Sequence, residues 1–169
     1  MARVTPPRPL AAEDDRTGFD CGRASLNHWF VRHAWRNRQT GVSRTNVLTD
    51  ADTGRIAGFV SLSSAQIERA WLAKPRQRHQ PDPVPVTLLG QLAVDRQYQG
   101  EGHARSLLLF ALKTALLSSK SIGSFGVLTH PLDDNVRNFY QRWGFQDLPF
   151  DPQQAMIVRM KDLEQSGFL

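Results

Sequence analysis

The stretch from Val86 to Ser119 constrains the fold more than any other part of the chain. VTLLGQLAVD (86–95) is a nearly continuous apolar run with few charges, the pattern of a strand buried on both faces. It passes through a glycine-bearing turn, RQYQGEGHA (96–104), into ARSLLLFALKTALLSS (104–119), which is free of Pro and Gly and rich in Leu and Ala. Such a segment predicts a long, largely buried helix. A chain of 169 residues with 40% hydrophobic residues is long enough to close one sizeable core around that unit.

The flanking sequence fills in an α/β layout. Pro6, Pro7 and Pro9 make residues 1–22 an irregular lead-in. Ser25 is a candidate cap for a single helix over SLNHWFVRHAWRNRQ (25–39), with Leu26, Trp29, Phe30 and Ala34 at helical spacing and Thr40-Gly41 as its stop. TNVLTD (45–50) and RIAGFVSLSSAQIER (55–69) read as a hairpin about Thr53-Gly54. Four prolines make 71–85 a loop. FGVLTH (125–130) is a short strand, DDNVRNFYQRW (133–143) an amphipathic helix ended by Gly144, and AMIVRM (155–160) a last strand before a tail at 162–169. The expected fold is one domain over 1–169, with a mixed central sheet and helices on both faces.

Composition excludes several classes. A single cysteine, Cys21, permits no internal disulfide and no multi-cysteine zinc site, and is read as a small packing residue. No metal is expected. No apolar run approaches the roughly 20 residues of a membrane span, and the first residues lack the apolar centre of a secretion signal, so a cytoplasmic protein is expected. The net charge of +5 is unevenly placed: residues 21–81 hold ten Lys or Arg against three Asp or Glu, while the segments on either side are each slightly acidic. One basic face, or a polyanionic partner, accounts for that asymmetry.

The junction at Gln99-Gly100-Glu101-Gly102-His103-Ala104 is the strongest chemical signal. Glycines let backbone N–H groups turn inward and the N-terminus of a helix adds its positive dipole end, which suits a phosphate. No Gly-Lys-Ser/Thr follows, which excludes a nucleoside-triphosphate loop, and the third glycine of a dinucleotide fingerprint is missing. Tyr140 lies 36 residues after Ala104, in Asn138-Phe139-Tyr140-Gln141-Arg142-Trp143-Gly144-Phe145.

Together these two elements resemble the GCN5-related N-acetyltransferase family. Gln99-x-x-Gly102-x-Ala104 matches its coenzyme A loop, and Phe139-Tyr140 with Gly144-Phe145 its later signature, the resemblance covering roughly residues 15–163. A narrower resemblance links Phe19-Asp20-Cys21-Gly22, Ser25-Leu26-Asn27, Gly41-Val42-Ser43-Arg44-Thr45, Leu89 to Asp95, Asp151-Pro152 and Lys161-Asp162-Leu163 to the toxin acetyltransferases of bacterial toxin–antitoxin pairs. It implies acetylation of the α-amine of an aminoacyl-tRNA with acetyl-CoA as donor, arrest of translation, neutralisation by a ribbon-helix-helix antitoxin, and a homodimer.

The resemblance also implies roles. Leu92 and Val94 hold the pantetheine amides between strands 88–94 and 125–129, and an N–H near Ala93 or Val94 polarises the thioester carbonyl. Backbone N–H groups over Gly100, Gly102, His103, Ala104 and Arg105 cradle the pyrophosphate, with help from Gln99. Tyr140 protonates the departing thiolate. An α-amine has a pKa of only about 7.7–8.0, so no general base is assigned, His103 and His130 included. Arg32, Arg36, Arg38 and Arg44, with Lys74, Arg76 and Arg78, are expected to meet as one groove for the tRNA acceptor stem. Gln91 stands where the toxin subgroup often has a basic residue, and Asp133 where many members of the wider family have Asn. Two other readings compete: an N-acetyltransferase for a small amine or protein terminus, which an acidic cleft would suit better, and a non-catalytic coenzyme A-binding module.

Overall fold

The computed structural model describes residues 3–167. The chain divides into two compact units, one formed by the described residues through Ser63 with Leu89–Ala111, the other by Ser64–Leu88 with the described residues from Leu112 on.

The first unit holds β1 (Arg8–Pro9), α1 (Ala24–Arg32), α2 (Ala34–Thr40) and β2 (Arg44–Thr49). It also takes the first eight residues of β3 (Ile56–Ile67), the end of β4 (Val84–Val94) and the start of α4 (His103–Ser118). β2 and β3 form the expected hairpin, with Thr45 opposite Ser61 and Val47 opposite Phe59. β1 pairs antiparallel with β2 through Arg8 opposite Val47, so the lead-in is not wholly irregular. The core joins Leu10, Phe19, Phe30, Ala34, Val47, Ile56, Phe59 and Ala93. At its centre the Phe30 and Phe59 rings stack 4.1 Å apart.

The single helix expected over 25–39 is two helices. His33, at φ −120° and ψ −27°, closes α1 and opens α2. In an unbroken helix the Phe30 and Val31 carbonyls would accept from the amides four residues on. Here the Arg16 guanidinium donates to both, at 3.0 and 2.9 Å. Arg16 thus satisfies the end of α1 from outside it, next to the negative end of its dipole. Ser25 is not the cap either; Arg23 holds that position and makes no side-chain capping bond.

The second unit contains α3 (Lys74–Gln77), β5 (Gly126–Thr129), α5 (Asp134–Arg142), β6 (Gln146–Asp147), β7 (Met156–Arg159) and α6 (Met160–Gln165), together with the start of β4. β4 and β5 run parallel, Thr87 opposite Val127 and Leu88 opposite Leu128, while β7 is antiparallel to both β5 and β6. Gly126 is obligatory there: a Cβ on it would stand 2.4 Å from the Val158 carbonyl oxygen. Ile67, Leu72, Val84, Val86, Leu128, Leu148, Ala155 and Ile157 form the core. The strand order is β1-β2-β3-β4-β5-β7-β6, a mixed sheet as expected.

Three further expectations are corrected. Residues 71–85 are not all loop, since Pro75 fits the first turn of α3, where a missing N–H costs nothing. The tail is helical through Gln165, its last two residues lying outside the described part of the chain. β4 is not buried on both faces: Val84, Val86, Leu89, Ala93 and Val94 are buried, while Pro85 and Gly90 are exposed.

Candidate active site

In the first unit, β4 ends at Val94 and the buried Asp95 carboxylate accepts from the Gln97 amide at 2.9 Å, which starts a 3₁₀ turn over Arg96–Tyr98. The Tyr98 hydroxyl donates to Asp50 at 2.7 Å and ties that turn to the end of β2. Gly100 and Gly102 follow at φ +81° and +86°, a left-handed conformation that costs other residues about 1 kcal/mol or more. A Cβ on either would meet nothing within 4 Å beyond its chain neighbours, so both glycines face open space at the start of α4. That combination fits a diphosphate: two residues with no side chain in the way, open space beside them, and a helix N-terminus.

Gln99 is placed differently from its expected role. Its Nε2 donates to the Cys21 carbonyl at 3.0 Å and the Val94 carbonyl at 2.8 Å, so the side chain anchors the loop from behind. The His103 ring lies 3.2 Å from Glu101 Oε2 and is buried. Among the residues expected at the thioester, Ala93 packs into the core of this unit and Leu92 is half-buried.

In the second unit, α5 begins where the Asp133 carboxylate accepts from the Val136 amide at 2.9 Å. The residue that departs from the wider family's Asn is therefore the helix cap. Tyr140 is 4% exposed and lies against Phe139 and Phe145, with ring centroids 5.3 and 5.1 Å away. Burial pushes its phenol up to about 12, against a partial offset from a hydrogen bond with Thr129 that favours the ionised form. Thr129, at the end of β5 and itself buried, was not singled out in the sequence. Nothing in its spacing could reveal it, because the contact joins a strand end to a helix.

The basic residues fall into two sets. Arg32 ends α1, Arg36 and Arg38 lie on α2, and Arg44 opens β2. The Arg38 guanidinium sits 5.5 Å from the Trp35 ring centroid, and its carbonyl accepts from Arg44 at 3.4 Å. In the second unit, Lys74 lies 5.8 Å from the exposed Phe150 ring, and Arg78 follows α3. Asp162 is held below the usual carboxylate range chiefly by its hydrogen bond with Arg159, with a smaller contribution from the field of Arg76.

The chain is 39% identical to the tRNA-acetylating toxin of Mycobacterium tuberculosis over 162 residues, 96% of each chain. The structure of AtaT complexed with acetyl-methionyl-tRNAfMet superposes with a TM-score of 0.89 at 28% identity, over 97% of this chain and 99% of that one. A tyrosine-to-phenylalanine mutant of AtaT, bound to the C-terminus of the antitoxin AtaR and acetyl-CoA, gives 0.81 at 26% identity over 99% of both. The profile of the acetyltransferase (GNAT) domain matches residues 43–147, a span that takes in both the glycine turn and Tyr140. By that match, and by a relative this similar along nearly its whole length, the chain belongs to the acetyltransferase (GNAT) domain family.

Proposed function

We propose that this protein is a toxin acetyltransferase that transfers an acetyl group from acetyl-CoA to the α-amine of an aminoacyl-tRNA, and so stops translation in the cytoplasm. The observation that carries the reading is the 39% identity to a tRNA-acetylating toxin across 96% of both chains. The open glycine turn supports it independently, because it fits the diphosphate of the donor.

Acetyl-CoA supplies the acetyl group as a thioester. Backbone N–H groups from Gly100 to Arg105 hold the diphosphate, Leu92 and Val94 the pantetheine, and an N–H at Ala93 or Val94 polarises the carbonyl as charge develops on its oxygen. The amine nitrogen attacks the thioester carbon, so a C–N bond forms as the C–S bond breaks; the departing sulfur takes its proton from Tyr140, and the proton that the amine sheds returns to the phenolate. The elevation of Tyr140 to about 12 keeps it protonated at physiological pH. Against a thiol near 8.5, full transfer is uphill by roughly 5 kcal/mol, so the phenol first stabilises the sulfur by hydrogen bonding and yields its proton late. Arg32, Arg36, Arg38, Arg44, Lys74, Arg76 and Arg78 bind tRNA phosphates. The neutralising partner is a ribbon-helix-helix antitoxin, and the assembly is a homodimer.

The test is incubation with radiolabelled acetyl-CoA and a panel of separately charged tRNAs. Label should enter at least one aminoacyl-tRNA and no uncharged tRNA. Label on a polyamine or peptide terminus, with none on any charged tRNA, would replace this reading with that of a general N-acetyltransferase. No transfer alongside tight coenzyme A binding would leave a binding module.

A further inference from the structure

We propose that the turn Asp20-Cys21-Gly22, locked by Asn27, is the brace that fixes the donor loop, which makes Asp20 and Asn27 positioning residues for binding the donor's diphosphate. The inference rests on the reading of residues 99–105 as that loop.

The glycines that shape the loop cannot hold it. Gly100 and Gly102 have no atom beyond their chain neighbours within 4 Å of where a Cβ would be, and glycine adopts many conformations at little cost. Backbone N–H groups bind an anion well only if they already point the right way, because ordering them on binding weakens affinity. The required rigidity therefore enters through the residues that lead into Gly100. Besides the Tyr98–Asp50 bond, three bonds that grip that segment come from one short turn. The Asp20 amide donates to the Asp95 carboxylate at 3.0 Å, the Arg96 amide donates to the Asp20 carbonyl at 2.9 Å, and Gln99 Nε2 donates to the Cys21 carbonyl at 3.0 Å. The Arg96 guanidinium also lies 3.7 Å from the Asp20 carboxylate.

The turn is itself pinned. Asp20 Oδ1 accepts from the Gly22 amide and from Asn27 Nδ2, both at 2.9 Å, while Asn27 Oδ1 accepts from the Cys21 amide at 2.9 Å. Asn27 is on α1, whose Phe30 is fully buried in the core of the same unit. A rigid helix thus holds Asn27, Asn27 holds the turn, and the turn holds the loop. This gives a purpose to Phe19-Asp20-Cys21-Gly22 and Ser25-Leu26-Asn27, which the chemistry of transfer leaves unused. Neither Asp20 nor Asn27 is assigned a contact with the donor.

The decisive measurement compares Asp20→Ala, Asn27→Ala and Asp20→Asn with the wild type. Dissociation constants for coenzyme A come from calorimetry, and kcat/KM is measured with acetyl-CoA and with S-acetylpantetheine, which lacks the diphosphate. Asp20→Asn keeps the acceptor oxygen and should bind coenzyme A almost as the wild type does. The two alanine variants should bind it about tenfold or more weakly, the scale on which misplaced binding groups act, yet use S-acetylpantetheine as the wild type does. Wild-type affinity in both alanine variants overturns the brace, as does an equal loss in Asp20→Asn or a parallel loss with S-acetylpantetheine. Wild-type protein that binds no coenzyme A would instead overturn the donor-loop reading beneath it, and the brace with it.

Discussion

Burying a phenol to 4% exposure between Phe139 and Phe145 denies its anion water, which is why Tyr140 holds its proton to about 12. The same burial makes it a poor acid unless something offsets the cost, and the Thr129 bond is the offset present. Tyr140→Phe removes the transferable proton and leaves the ring packing intact. Turnover should fall by about 10²–10⁴-fold, with the coenzyme A dissociation constant unchanged in calorimetry. The melting temperature should drop only slightly, because the Thr129 hydroxyl loses a partner worth about 1 kcal/mol. Wild-type turnover in this variant would remove Tyr140 from the mechanism. Sequence reading finds Tyr140 by its motif but not its raised pKa, since burial belongs to the fold. It likewise placed Gln99 at the phosphate, where the folded chain turns its amide toward two carbonyls. In both cases the position was readable and the partner was not.

Among the elements, the β4–turn–α4 unit was legible because its signals are local: an apolar run, two glycines, then a Leu- and Ala-rich helix. The break between α1 and α2 was not, because the group that satisfies its open carbonyls is Arg16, some fifteen residues upstream. β1 and β6 are two residues each and carry no period to detect. What a glycine does in the turn can be tested directly. At Gly102, φ +86° strains an alanine by about 1 kcal/mol, but its Cβ enters open space and clashes with no protein atom. Gly102→Ala should therefore fold and melt only a few degrees lower. Its KM for acetyl-CoA should rise by about tenfold, because the added methyl occupies the space read as the diphosphate's and shields the N–H groups. An unchanged KM would mean that the diphosphate lies elsewhere.

For the whole molecule, two charge balances are set by the fold. Tyr140 and Tyr98 are the only tyrosines and both are raised above 10. Between about 10 and 12 the unfolded chain loses phenolic protons that the folded chain keeps, so stability falls with rising pH across that window. Chemical denaturation should show the decline beginning near pH 10, and absorbance near 295 nm should show little tyrosinate before it; a full tyrosinate signal by pH 10.5 in folded protein would contradict the burial of Tyr140. On the acid side, Asp14 is lowered chiefly by its bonds with Arg8 and Asp162 by those with Arg159, so their contributions are present at neutral pH and fade as pH falls below the usual carboxylate range. The second balance concerns nucleic acid. No Asp or Glu occurs from Cys21 to Thr49, where Arg32, Arg36, Arg38 and Arg44 lie, so phosphates bound at these arginines would have no carboxylate from that stretch of chain to compete with. Arg76 instead shares its surroundings with Asp162. Reversing Arg36 to Glu should therefore weaken acetylation of charged tRNA more than reversing Arg76. Each change should flatten the plot of log affinity against log salt by about one counterion, while KM for acetyl-CoA stays put. If salt dependence is identical in wild type and both variants, these arginines do not touch the phosphates, and the basic half of the chain is only a solvated face.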